Sequence, residues 1–263
     1  MWIERILNVW TGLFKRLEGA ELEPRPWHSH YLTEFCSKTS VRLMAKQLEG
    51  RVLDIGAGTG HGARYLDNEK TEYLPTDLPS GRDTTDENIS SRPEKIKVYC
   101  SSYALPFPNE SMGGVLLLSV LEHLQSPQLA LREASRVLLP GGKLLVSVPF
   151  NFPIHGFPLD FVRWTMEGLK IEMQNAGFET ISESAIGNAF ASIMLNINLL
   201  LKYHIKCNRN RLLKGGMSLA APFFLVSQFF LNSAAIVLGP LDQSNALPLG
   251  IVMLGRKKQP SSR

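Results

Sequence analysis

Three groups of residues have types and spacings suited to chemistry. The first is "RVLDIGAGTGHG", Arg51 to Gly62, where Gly56, Gly58 and Gly60 follow Asp54. Glycines at such a turn let the backbone approach a ligand closely. A dinucleotide fingerprint would place its third glycine at position 61, which is His61. A carboxylate at Asp54 would also repel a pyrophosphate at short range in a partly dry site. A cationic ligand reverses that sign, so the loop suits a positively charged small molecule better than a phosphate.

The second group is Glu122 and His123 in "SVLEHL". An imidazole at the mouth of a site is a general-base candidate for an acceptor hydroxyl; the pair would otherwise cap the following helix and shape a pocket. The third lies in "PFNFPIHGFPLDFVRWT", Pro149 to Thr165. There His155 and Asp160 are suited to accepting a proton or holding hydroxyls, and Arg163 to binding a carboxylate or phosphate. The structural alternative is an Asp160–Arg163 ion pair that pins the loop, with Trp164 in the core.

These groups fall where alternating strands and helices would gather them. Helical spacing runs from Tyr31 to Leu48, and "RVLDIG" reads as a buried strand before the glycine turn and a helix through Leu66. "TEYLPTD" is a second strand ending at Asp77, "EKIKVYC" a third, and the continuously apolar "GGVLLLSV" a fourth. "LALREASRVL" is helical, "KLLVSVPF" a fifth strand, "TMEGLKIEMQNAGF" a helix and "ETISESA" a sixth strand. The alternation predicts an α/β fold with a doubly wound, mostly parallel sheet, in which ligands bind at the carboxyl ends of the strands.

A chain of 263 residues with 44% hydrophobic and 20% charged content is that of a folded protein. The net charge of +4 is mild for a nucleic-acid partner, and its one cluster, Lys202 to Lys214, lies among apolar segments. Cys36, Cys100 and Cys207 follow no metal-ligand spacing and read as reduced thiols of a cytoplasmic protein. Together they predict no metal site.

"VLDIGAGTG" resembles the first motif of class I S-adenosylmethionine-dependent methyltransferases, of the ubiquinone/menaquinone methyltransferase group (type 11-like). "CSSYALPFPNESMGGVLLLSVLEHL" and "RVLLPGGKLLVSVPF" resemble their middle motifs and the approach to strand five. The resemblance covers about Tyr31 to Glu183 and implies a seven-stranded Rossmann-like fold with S-adenosyl-L-methionine as cofactor. It implies that Asp54, Gly56, Ala57, Gly58 and Gly60 lie against the methionine part. Asp77 would accept the ribose hydroxyls, Leu78 would pack on the adenine, and Ser101, Ser102 and Ser119 would line the rest. The family often has an aspartate where Ser101 stands, and a neutral hydroxyl would contribute less there. The alternative for Asp77 is a solvated turn residue before Pro79. His123, His155 and Asp160 are then the catalytic candidates, and Arg163 and Trp164 the substrate-binding ones. The loop after strand five is similar to one in relatives from glycan- and lipid-modifying pathways.

Outside this core, Ile3 to Leu17 recur apolar at helical spacing, an amphipathic helix that packs on the protein or lies on a membrane. Gly215 to Leu241 carries no charge and meets the length of a membrane span. "LPLGIVMLGRKK" then resembles the last strand of the fold, and a single span would strand it across the bilayer. Two spans would put the basic stretch Lys202–Lys214 on the wrong side. A helical hairpin at the cytoplasmic membrane interface is the economical expectation, with a protein-covered cap or dimer surface as its rival. The expected division is therefore 1–27 helix and linker, 28–187 catalytic domain, 188–241 apolar insertion and 242–263 last strand and tail. The expected function is methyl transfer to an oxygen of a glycan or lipid-linked small molecule, with oligomeric state open. The rivals are a non-catalytic scaffold of the same fold and an NAD(P)-dependent oxidoreductase.

Overall fold

A computed structural model describes residues 24–58, 60–79, 96–207 and 221–259. The expected N-terminal helix and most of the basic stretch before Lys214 lie outside these residues. The chain divides into two compact units. One holds the sheet: Lys38–Phe150, Ile154–Ile186 and the residues from Gly250 onward. The other is helical and comprises the residues up to Ser37, Asn151–Pro153 and Gly187–Leu249. Three residues of the loop after strand five thus belong to the helical unit, and that unit runs on to Leu249, beyond the insertion boundary expected at 241.

In the sheet unit the elements follow the expected alternation. Helix α1 (Tyr31–Ala45), which begins in the other unit, leads to β1 (Gly50–Ile55). β2 (Thr71–Asp77), β3 (Val98–Tyr99) and β4 (Met112–Leu118) follow, then α2 (Pro127–Val137), β5 (Leu138–Pro149), α3 (Met166–Asn175) and β6 (Phe178–Ile186). β7 (Gly250–Lys257) is last. The seven strands form one sheet in the order β3-β2-β1-β4-β5-β7-β6. β1 pairs in parallel with β2 and β4, and β4 with β5. β7 inserts antiparallel between β5 and β6.

Burial explains the strand choices. Leu53, Val115, Leu117, Leu144 and Val146 point into one core with Ala130, Leu131, Ala134 and Val137 of α2. Val52, Leu116, Leu145 and Leu254 on the alternate positions are also fully buried. Both faces of the central strands are therefore covered, which is why β4 reads as an unbroken apolar run.

Two local expectations differ. The helix expected after the glycine turn is a short 3-10 segment, His61–Tyr65, entered through Gly60 in the left-handed region at φ 80. β5 starts at Leu138, five residues early, because Met112 pairs with Leu138 before a bulge resets the register at Gly114 and Lys143.

The helical unit contains α4 (Ala189–Cys207) and α5 (Ala221–Leu238). The Asp242 carboxylate accepts from the first amide of α4, Ala189, at 2.7 Å, and the Ser192 hydroxyl donates to the Leu247 carbonyl.

Candidate active site

The carboxyl ends of β1, β2 and β4 meet at the glycine loop. Asp77, the last residue of β2, accepts from the Gly58 amide at 3.0 Å and from the Leu78 amide at 2.7 Å. The Ala57 amide donates to the Thr76 carbonyl and the Gly60 amide to the Ala57 carbonyl. Gly56 and Gly58 have φ of 69 and 56, a region that glycine enters without a Cβ penalty. A Cβ at Gly56 would stand 2.8 Å from Val120, so the loop packs directly on the segment leaving β4. A Cβ at Gly58 would meet nothing within 4 Å. The loop therefore presents bare backbone to open space beside Asp77 and the exposed apolar side chain of Leu78. A carboxylate has about four lone-pair sites and accepts from hydroxyls as well as from amides. These residues fit a ligand with a sugar diol flanked by an apolar ring.

Asp54 is placed differently from a residue that faces ligand. It is 2% exposed, beneath the loop, and its Oδ2 accepts from the Tyr73 hydroxyl at 2.6 Å. A Cβ on Gly62 would lie 2.3 Å from that same oxygen. Burial pushes the Asp54 carboxyl up to about 7, against the lowering effect of the Tyr73 hydroxyl, and the charge of Asp77 adds to the rise. Tyr73 and Gly62 are the residues that sequence reasoning missed here. Their link to Asp54 crosses from one strand to the next and has no spacing signature.

Around the open side, the Ser101 hydroxyl accepts from the Tyr103 amide at 3.2 Å, closing its own turn after β3. Ser102 follows in that turn, half-buried. Ser119 sits exposed at the end of β4 with φ 55, a conformation unusual for a residue with a Cβ. The turn is held from α2: Arg136 donates to the Leu105 and Phe107 carbonyls and to Glu133, and Glu133 accepts from the Leu105 amide. The sequence showed Glu133 and Arg136 only as an i, i+3 pair on a helix.

The second and third groups come together. The loop from Ile154 to Arg163 folds over the 3-10 turn Leu121–His123, with the Phe161 amide donating to the Glu122 carbonyl. His123 Nδ1 lies 2.5 Å from the Leu159 carbonyl. His155 Nδ1 lies 3.5 Å from Asp160, whose carboxylate also accepts the His155 amide. Both imidazole Nε2 atoms stand 3.9 Å from Glu122 Oε1. Glu122 is fully buried, and neither carboxylate oxygen has a hydrogen-bond partner. Burial pushes its carboxyl up to about 8. Arg163 clasps Asp160 with both terminal guanidinium nitrogens, which brings the Asp160 carboxyl down to about 2. That pair pins the loop, as the structural alternative had it. Trp164 is 9% exposed and belongs to the hydrophobic core, which corrects its assignment to substrate. The reason is packing: the indole lies in one core cluster with Leu169 and Met173 of α3.

Residues 53–146 match the family model described as a methyltransferase domain. The demethylmenaquinone methyltransferase of Tropheryma whipplei (strain Twist) is 30% identical over 138 residues, covering 51% of this chain and 57% of that protein. The ubiquinone/menaquinone biosynthesis C-methyltransferase UbiE of Bordetella parapertussis is 28% identical over 148 residues, covering 51% and 55%. The chain thus spans little more than half the length of the curated relatives it matches. Among solved structures, the [4+2]-cyclase SpnF aligns with a TM-score of 0.53 at 18% identity, over 85% of this chain and 81% of that one. The 1,6-didemethyltoxoflavin-N1-methyltransferase of Burkholderia thailandensis, with S-adenosylhomocysteine bound, aligns at 0.50 and 14% identity, over 86% and 80%. At these identities the likeness speaks for the fold.

The seven-stranded sheet and the glycine loop thus frame a stretch, residues 53–146, that is similar to a methyltransferase domain. The curated proteins it resembles include menaquinone and ubiquinone methyltransferases.

Proposed function

We propose that the chain is an S-adenosylmethionine-dependent methyltransferase acting on an oxygen of a lipid-linked small molecule at a cytoplasmic membrane face. The observation that carries the methyl-transfer reading is the bare Gly58 backbone beside Asp77. In this reading Asp77 holds both ribose hydroxyls, Leu78 covers the adenine, and the Ser101–Ser102 turn borders its far edge. The glycine loop, with Ala57 at its base, faces the methionine part. Asp54 acts from beneath, holding the loop's shape rather than touching the cofactor. The cofactor supplies a methyl already activated on a sulfonium. The protein's share is to align the acceptor and exclude water. His123 and His155, each about a quarter exposed, follow β4 and β5 in the chain and are the candidates to take the acceptor's proton.

The membrane part rests on the helical unit. Phe223–Leu241 is long and apolar enough to cross a membrane by length and composition. Its polar residues Gln228 and Asn232 are fully buried, while Phe223, Phe230 and Val237 are 77, 64 and 74% exposed. Asn232 Oδ1 accepts from Asn198 of α4 at 2.9 Å, and its amide nitrogen donates to the Pro26 carbonyl. Polar groups inside and apolar groups outside reverse the arrangement of a helix in water and suit one that meets hydrocarbon. A groove of about 520 Å³ in the same unit, lined by Phe152, Pro153, Ile193, Ile197 and Leu200 among others, offers room for an acyl or prenyl chain. The relatives named for menaquinone and ubiquinone, one of them a C-methyltransferase, make a prenylated quinone precursor the alternative acceptor, methylated on carbon.

Three measurements test the reading. Calorimetry with S-adenosylhomocysteine should show one site per chain, and NAD none; binding of neither would favour a non-catalytic scaffold. Labelled methyl from the donor should pass from cell extract into the organic phase, and label confined to the aqueous phase would overturn the lipid-linked acceptor. Phe230→Glu with Val237→Glu should release the protein from anionic vesicles, and unchanged flotation would refute the interfacial hairpin.

A further inference from the structure

The cluster of Glu122, His123 and His155 has an arrangement that proton transfer alone does not explain. Each residue offers one ligand atom, and the three atoms lie within 4.8 Å of one another. The two imidazoles meet edge to face, with centroids 4.8 Å apart. His123 Nδ1 must donate to the Leu159 carbonyl, which leaves the Nε2 lone pair directed at Glu122. Asp160 stands behind His155 Nδ1 in the same sense. An oxygen acceptor behind each ring nitrogen, with the other nitrogen turned inward, is the outer arrangement that orients histidines bound to metal. Glu122 completes it: a fully buried carboxylate whose two oxygens meet no hydrogen-bond donor. Such a group is costly to leave unpaired, and a cation between the three atoms would satisfy it.

We infer that Glu122, His123 and His155 form a binding site for a divalent transition metal of the zinc type. Two nitrogens and one carboxylate oxygen are the donor set of zinc sites that keep an open position. Metal–ligand bonds of about 2.0–2.2 Å in a tetrahedral site would draw the 3.9 Å nitrogen–oxygen separations in by about half an ångström, and the widest separation in the group, within 4.8 Å, by more. The rings' partial exposure leaves a fourth position for water or an acceptor oxygen. A metal there would hold that oxygen and replace the imidazoles as its activator, since their inward nitrogens would be bound, a role that rests on the methyl-transfer reading. Metal binding itself does not rest on it. Sequence spacing gave no hint, because His155 is 32 residues beyond His123 and the cysteines lie elsewhere.

The test uses the full chain, stripped with chelator and titrated with Zn²⁺ alone against a chromophoric competitor, with no methyl donor present. One Zn²⁺ per chain is expected, and Co²⁺ should give the visible absorption of a low-coordinate site. Glu122→Gln and His155→Gln should each weaken Zn²⁺ by about 10-fold or more, and Asp160→Asn by about 10–100-fold through the ring it orients. Should Glu122→Gln fail to fold, His123→Gln and His155→Gln alter only partly exposed side chains and carry the same test. Absent stoichiometric binding, or binding that the histidine variants leave unchanged, overturns the proposal. Because S-adenosylhomocysteine binding is measured separately, loss of the metal site leaves the methyl-transfer reading standing, and the reverse.

Discussion

Replacing Asp54 by asparagine should change how stability depends on pH. The side chain is enclosed between Tyr73 and Gly62, and its carboxyl is raised from 3.8 to about 7. The folded protein therefore holds this proton more tightly than the unfolded chain does. Its contribution to stability is fully present below pH 3.8, is lost as pH rises towards about 7, and is level above that. The span corresponds to roughly 4 kcal/mol in all, and to on the order of 2–3 kcal/mol between pH 5 and 8. Asparagine keeps an oxygen for the Tyr73 hydroxyl and does not titrate. Urea denaturation of the cofactor-free protein at pH 5 and pH 8 reads the effect, provided the slope with denaturant is the same for both proteins. The stability of Asp54→Asn relative to wild type should rise by that 2–3 kcal/mol from the lower pH to the higher. Tyr73→Phe, which removes a donor that favours the charged form, should move the fall in stability to higher pH. A difference between Asp54→Asn and wild type that stays constant across the range would refute the reasoning, because the carboxyl would then be ionised or solvated in the folded state.

Asp77→Ala should weaken S-adenosylhomocysteine by about 30-fold or more, or on the order of 2 kcal/mol, in calorimetry; unchanged affinity would place the sugar elsewhere. Gly58→Ala should cost about 1–2 kcal/mol in denaturation for its left-handed backbone, and should also reduce cofactor affinity, since its methyl enters the open space over the loop. Arg136→Ala removes the clamp on the Leu105 and Phe107 carbonyls and should destabilise by about 1–3 kcal/mol, read by the urea midpoint.

Much of this molecule was legible in its residues. The apolar run Val115–Leu118 announces a buried strand, because only a sheet covered on both faces buries consecutive side chains. Gly56, Gly58 and Gly60 announce a turn that needs left-handed backbone. The order of the motifs then put Asp77, His123 and His155 near one end of the sheet. Where the register of β5 begins was not legible, since the bulge between Met112 and Gly114 depends on a partner strand. Nor was the short 3-10 segment at His61.

What the amino-acid order determined by itself was the sheet, the glycine turn and the set of residues gathered at the strand ends. Local sterics and hydrophobic periodicity act over a few residues, and a sequence displays them directly. Tertiary structure alone decided three things: Asp54 lies under the loop, Trp164 lies in the core, and Glu122 sits buried between two histidines. Each depends on which distant side chain fills the space beside it. Burial, and with it a carboxyl's proton affinity or its need for a cation, is a property of that neighbourhood rather than of the residue.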